Sequence, residues 1–153
     1  MMKFLLLSLI CLTFNQAITG QEKEDIEKTI IGIEKATLDR WEKGDPMGFV
    51  EIAAEDITYF DPFLESRIDG LEAFRAYMKG VEGQIYADRY ELLNPTVHSN
   101  GKVAVLCFNY VSYTEKEGET NESRWNATEV YKRIDGSWKL CHSHWSMTLP
   151  ELK

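Results

Sequence analysis

Two groups of residues in this chain have the types and spacing needed to move protons. Asp61 stands directly before Pro62, among Tyr59, Phe60 and Phe63. If such apolar company excludes water, the carboxylate can act as a general base. Asp before Pro also starts turns by bonding its own backbone, so a purely structural reading stands beside the catalytic one. His142 and His144 form the second group. Two apart on an extended segment, their side chains point to one face about 7 Å apart, together with Trp138, Leu140 and Ser146. Histidine titrates across neutral pH, which makes His144 a candidate proton carrier and His142 a candidate ligand contact. A hydrogen-bonded core histidine is the alternative for each. Two imidazoles with Asp61 or Glu129 would suit zinc, but spacing fixes no third ligand, so neither a metal nor a cofactor is expected. Ser143 and Ser146 lack a nucleophile elbow, and no glycine-rich phosphate loop occurs.

Helices precede strands in the segments that must position these groups. Ile26, Ile30, Ile33, Thr37, Leu38 and Trp41 recur at three and four, the helix period, up to a stop at Gly44. Asp45 as N-cap and Pro46 at the first helical position predict a short second helix to about Ala54. Ile57–Phe60 reads as a strand, with residues 65–69 as its partner after the Asp61-Pro62 turn. A third helix follows over 69–78, where Asp69 is an expected N-cap with Glu72 in the capping-box position. Runs 84–98, 102–115, 122–134 and 137–148 are rich in β-branched and aromatic residues and break at Asn100-Gly101, Glu117-Gly118 and Asp135-Gly136. Helices followed by a meander predict an α+β domain with helices on one face of the sheet.

A chain of 153 residues with 44% hydrophobic content can bury a core as one domain without metal or disulfide support. Its net charge of −8 argues against nucleic acid as a partner, since phosphate binding needs clustered Lys and Arg. Lys3 followed by an apolar run from Phe4 to Phe14 reads as a secretory leader over residues 1–20. The run is too short for the roughly 20 residues of a spanning helix. A single domain over 21–153, secreted or periplasmic and free of the membrane after cleavage, is the resulting expectation. Cys107 and Cys141 fall in the fourth and sixth strands, two strand spacings or roughly 9.5 Å apart. A disulfide needs Cα atoms within about 7 Å, so both are expected as buried free thiols.

Leu93-Asn-Pro-Thr-Val-His98, the strand at Thr128-Glu-Val-Tyr131, Asp135-Gly-Ser-Trp138 and His142-Ser-His144 with Ser146 resemble the association domain of calcium/calmodulin-dependent protein kinase II. Phe60-Asp-Pro62 and Ile68-Asp-Gly70 extend the resemblance upstream. That domain belongs to the nuclear transport factor 2-like superfamily, with the SnoaL-like cyclases and the steroid delta-isomerases. The resemblance implies a cone of three helices wrapped by a curved, mostly antiparallel six-stranded sheet, a pocket inside the cone, and dimers or larger assemblies. Ala54-Glu-Asp-Ile-Thr-Tyr-Phe-Asp-Pro62 is similar to the isomerase pattern in which the aspartate before the proline is the base, a role that would fall on Asp61. Where those isomerases carry a tyrosine oxyanion donor this chain has Thr37, so steroid isomerisation is not the expected reaction. Where the association domain has an arginine this chain has Glu129; Arg133 remains, with Arg67 and Arg124 as further candidates.

Two functional expectations follow. In the first, the chain binds a small molecule in a concave, mostly apolar pocket lined by Tyr59, Asp61, Tyr77, Asn126 and His144, with His142, Trp138 and Arg67 nearby. Proton-transfer chemistry, if any, would use Asp61 or His144 as base. In the second, the chain is a non-catalytic scaffold that assembles with itself, as a homodimer or larger ring, through an aromatic stripe of Trp125, Tyr131 and Trp145 on the opposite face of the sheet.

Overall fold

The computed structural model describes residues 2–148, with side chains placed from Gly20 onward; the leader expected over 1–20 therefore lies, apart from Gly20, outside the described side chains. Helix α1 spans Met2–Trp41, α2 Met47–Ile52 and α3 Leu71–Gly80; the strands are β1 Ala53–Phe60, β2 Ile68–Asp69, β3 Arg89–Ser99, β4 Val103–Lys116, β5 Glu119–Ile134 and β6 Ser137–Met147. No helix among the described residues is long and apolar enough to cross a membrane. The six strands form one sheet in the order β2-β1-β6-β5-β4-β3. Only β1 and β6 run parallel; the other neighbours are antiparallel. The expected α+β, mostly antiparallel architecture is the one observed.

Local sequence explains the long β3–β6 meander. Glu117-Gly118 and Asp135-Gly136 both have positive φ at each turn residue, the conformation of a two-residue type I′ hairpin whose twist matches that of its strands. At the β3–β4 connection the Asn100 side chain accepts hydrogen bonds from the Lys102 and Val103 amides. Pro95 would break a ladder in a central strand, but β3 is an edge strand and its register shifts between Leu93 and Thr96, where proline is tolerated.

One face of the sheet packs on the helices. Ile30, Leu38, Ile57, Phe74, Met78, Leu106, Tyr131 and Leu140 are almost fully buried between them. The expected second and third helices are present, with one change of cap. Asp45 does accept a hydrogen bond from the Met47 amide at the start of α2. Asp69 does not cap α3: Gly70, at φ 86°, occupies that position, and the Asp69 carboxylate pairs instead with Arg67 at 2.7 Å. Cys107 and Cys141 are free, on β4 and β6 with β5 between them, as expected, but both are half-buried rather than buried.

A register shift between Val130 and Tyr131 places one extra residue, Cys141, in β6 opposite β5. Side chains on a regular strand alternate faces, so the extra residue changes the parity of everything after it. Leu140 and Ser143 consequently both lie against the helices, at 0% and 2% exposure. His142 and His144 go to the other face.

Gly44 holds the end of α1 to the segment that follows α3. Its φ is 80°, and a Cβ there would stand 3.1 Å from Gly83 Cα and 3.2 Å from the Ile85 carbonyl. The Gly83 amide donates to the Gly44 carbonyl at 2.8 Å and the Ala87 amide to the Glu42 carbonyl at 3.1 Å. Gly44→Ala should therefore lower stability by about 1–3 kcal/mol, combining left-handed backbone strain with the close contact. Urea denaturation of the two proteins at one pH measures it; an unchanged midpoint would mean that the turn relaxes freely.

Candidate ligand-binding site

A cavity of about 340 Å³ opens between the end of α1, α3, the 81–87 segment and the helix-covered face of β4, β5 and β6. Tyr110, Trp125 and Trp145 form its sheet wall. Trp145 meets Tyr110 edge-on at 5.5 Å between centroids and Trp125 at 6.4 Å. Phe63, 72% exposed, sits at 6.0 Å over Trp125. Leu38, Phe74 and Met78 line the helical side.

Three of the expected site residues line this cavity. Tyr59 follows the buried Ile57 on β1, so both point toward the helices, and Asp61 continues the row just past the end of the strand. The Tyr59 hydroxyl donates to Asp61 Oδ2 at 2.8 Å, while Oδ1 accepts the Phe63 amide at 2.8 Å. Asp61 thus forms the turn with one oxygen and lines the cavity, bonded to Tyr59, with the other. Tyr77 enters from α3 with its ring 5.7 Å from that of Tyr59. Burial, followed by the neighbouring Asp61 charge, raises the pKa of Tyr59 and of Tyr77, so both keep their protons as donors.

The other expected site residues lie elsewhere. His142 and His144 face away from the cavity because of the bulge at Cys141. The His142 Nδ1 is 2.7 Å from Thr58 Oγ1, and Phe60 packs against both imidazoles at 6.0 and 5.5 Å. Burial, then His144 and Arg67, lowers the His142 pKa. Asn126 is on that same outer face, bonded to Asn109 at 2.8 Å. Arg67 is exposed and paired with Asp69. Trp138 does face the helices, but at the far end, beside Ile26 and Thr29 of α1 and under the Arg133 guanidinium. Conversely, Trp125, Tyr131 and Trp145, expected as an outer stripe, point inward: Tyr131 is fully buried and the two tryptophans are cavity wall. The alternation along β5 was legible in the sequence, but its faces are exchanged, since both rows carry apolar residues and only the helices decide which one is covered. Thr37 is not part of the cavity wall; its hydroxyl donates to the Ile33 carbonyl of its own helix at 2.9 Å.

What sequence reasoning missed are three buried glutamates. Glu34 and Glu129 are fully buried, and Glu42 is 6% exposed. Tyr131 donates its hydroxyl proton to Glu34 Oε2 at 2.5 Å, Ser143 donates to Glu129 Oε1 at 3.0 Å, and Trp145 Nε1 donates to Ser143 Oγ at 3.1 Å. Glu34 Oε1, Glu129 Oε2 and both oxygens of Glu42 have no partner. Burial raises the pKa of all three, Glu42 to about 7, and the nearby Glu34 adds to the shift at Glu129. A signal for them did exist. Ile26, Ile30, Glu34 and Leu38 form a single row of fours on α1 that Glu42 continues just past its end, and Glu129 sits in the alternating row Trp125, Ala127, Tyr131. An acid inside an apolar row of two different elements is a pattern that surface solvation does not explain.

A six-stranded sheet folded over helices, with a pocket inside the cone, defines a nuclear transport factor 2-like domain. Comparison with known proteins agrees. A crystal structure from Parabacteroides distasonis, described provisionally as a ketosteroid isomerase, superimposes with a TM-score of 0.72 at 41% identity, covering 82% of this chain and 89% of that one. The association domain of the Caenorhabditis elegans kinase shares the fold at a TM-score of 0.68 and 23% identity, covering 80% and 96%. The calcium/calmodulin dependent protein kinase II association domain matches residues 26–149, and this chain belongs to that family. The Drosophila melanogaster calcium/calmodulin-dependent protein kinase type II alpha chain is 30% identical over 138 residues, 86% of this chain but 26% of the kinase. The chain thus spans about a quarter of the length of the curated relatives it matches.

The buried glutamates predict how stability depends on pH. An unfolded glutamate releases its proton near the ordinary value of 4.5, whereas these folded ones hold theirs to higher pH. Above pH 4.5 the folded state therefore binds more protons than the unfolded state. Their contribution to stability is greatest below that value and falls on the way to pH 7, by up to about 1.4 kcal/mol per pH unit for each such group. Denaturation midpoints at pH 5, 6 and 7 should decline, and Glu34→Gln should remove about one proton's worth of that slope. An identical slope in the variant would mean that Glu34 is ionised in the fold.

Proposed function

We propose that this chain binds a small, partly apolar molecule in its cone and that Asp61 is the proton acceptor there. The observation that carries this reading is a carboxylate and two protonated tyrosine hydroxyls converging on one aromatic-walled cavity. Asp61 Oδ2, oriented by Tyr59, is the only oxygen of that carboxylate not engaged by the backbone. A substrate carbon beside a carbonyl could lose its proton to this oxygen while the Tyr77 hydroxyl donates to the developing oxyanion. Isomerisation, cyclisation and dehydration all begin with that step. His144 is not in this scheme, since it lies across the sheet. The likeness to the Parabacteroides distasonis structure supports the isomerase class without naming a substrate. Export from the cell, directed by residues 1–20, belongs to the same proposal.

A second reading, self-association, rests on a separate observation. The helices leave the outer face of β1, β6, β5 and β4 uncovered, and Phe60, 40% exposed, stands there between His142 and His144. A second copy of the chain is the occupant that the family's association-domain character favours. Cavity and outer face lie on opposite sides of the sheet, so the two readings are compatible.

Native mass spectrometry of the protein purified from its own host, followed by denaturing release, tests both. The expected species is a dimer carrying one small molecule per chain. An empty, larger assembly would overturn the pocket reading and leave the scaffold. Asp61→Asn retains the acceptor for the Phe63 amide but loses the one for the Tyr59 hydroxyl, so it should lower stability by about 1–3 kcal/mol and leave the protein folded at the assay temperature. Turnover of the released compound should nevertheless fall by about 10²–10⁴-fold; unchanged turnover would remove Asp61 from the chemistry.

A further inference from the structure

The cavity has a charge character that the choice of base does not explain. Its lining includes two carboxylic residues, Glu42 and Asp61, and no lysine, arginine or histidine. The arginines considered from the sequence are all engaged elsewhere: Arg67 with Asp69, Arg124 with Glu122, and Arg133 over Trp138. Behind the wall, Ser143 and Trp145 connect to a third carboxyl, Glu129. The cavity lining therefore offers no cation to balance an anionic ligand.

Glu42 is the exceptional member of the set. Its residue is 94% removed from solvent, given the 6% exposure, and neither carboxyl oxygen has a hydrogen-bond partner among the described residues. Asp61, by contrast, is satisfied by Tyr59 and Phe63. A buried carboxyl without donors is unfavourable by about 1–3 kcal/mol or more, and worse when charged. Its backbone is held in place, since its amide donates to the Leu38 carbonyl and its carbonyl accepts from the Ala87 amide. The same cavity is lined by the aromatic residues Trp41, Tyr77, Tyr86, Tyr110, Trp125 and Trp145. An aromatic enclosure with one unpaired carboxylate is the chemistry that recognises ammonium groups, which offer N–H donors or a diffuse positive charge to both.

We infer that the cavity takes an organic cation, an amine or alkylammonium with an apolar body, whose charged end pairs with the Glu42 carboxylate while the body packs on the aromatic wall. The inference rests on the pocket reading above and specifies the ligand class for it. The ammonium supplies the donors that Glu42 lacks, and Asp61 is left to act on another part of the molecule.

Three probes of one shape separate the possibilities: 2-phenylethylamine, 2-phenylethanol and phenylacetate, which are cationic, neutral and anionic at pH 8. Isothermal titration of the full-length protein should show the amine binding at least tenfold more tightly than the alcohol, with phenylacetate weakest. In Glu42→Gln the amine should lose that advantage while the alcohol keeps its affinity. The comparison within the unmodified protein decides the matter even if the variant fails to fold. Equal affinity for amine and alcohol, or a preference for phenylacetate, would overturn the cation assignment while leaving the pocket intact. Binding of none of the three would overturn both.

Discussion

The hydrogen bond from Tyr131 to Glu34 joins the middle of α1 to the centre of the sheet inside a fully buried environment. It fixes more than a distance. With Glu34 turned inward, the helix must present Ile30 and Leu38 to the same core, and Glu42 follows two steps of four later at the mouth of the cavity. A neighbouring carboxyl, Glu129, is tied to Ser143 and through it to Trp145. No cation accompanies either buried acid, so the fold tolerates them as neutral carboxyl groups rather than as an ion pair. The core is therefore specified partly by directional polar contacts, and these reach the cavity wall through Trp145.

The second determinant is the single extra residue in β6. Had the strand been regular after Leu140, His142 and His144 would have entered the cone and the cavity would have carried two imidazoles. The bulge at Cys141 sends Ser143 and Trp145 inward instead. One inserted residue thus exchanges a basic, titratable lining for an aromatic wall with a serine that serves a buried acid. The acidic balance of the cavity follows from this backbone irregularity as much as from the choice of glutamates.

These two features also explain what could be read from the sequence. Helix rows, type I′ turns at Glu117-Gly118 and Asp135-Gly136, strand order and free thiols all follow from local rules with a period or a fixed spacing, and they were legible. The faces of β5 and β6 were not. Asn126, Thr128 and Val130 make as plausible an inner row as Trp125, Ala127 and Tyr131, and a bulge leaves no signature in side-chain types. Asp61, Tyr59 and Tyr77 do line the cavity, because they lie before the bulge, on short elements whose direction the flanking helices set. Glu34, Glu42 and Glu129 were overlooked because an acidic residue is ordinarily solvated; their membership in apolar rows was the available clue.

The two sides of the sheet meet mechanically at the end of β1. Tyr59 and Asp61 face the cavity, and Phe60 between them faces outward against His142 and His144. Successive residues of an extended chain share their backbone constraints, so whatever immobilises Phe60 also immobilises the peptide units that aim Asp61. A second copy seated on the outer face would narrow the orientations open to Asp61 without touching the cavity. Precise placement of a proton acceptor is worth a large part of its effect. Assembly and pocket chemistry in this domain are then not rival explanations of the same residues, because alternate positions on one strand serve each.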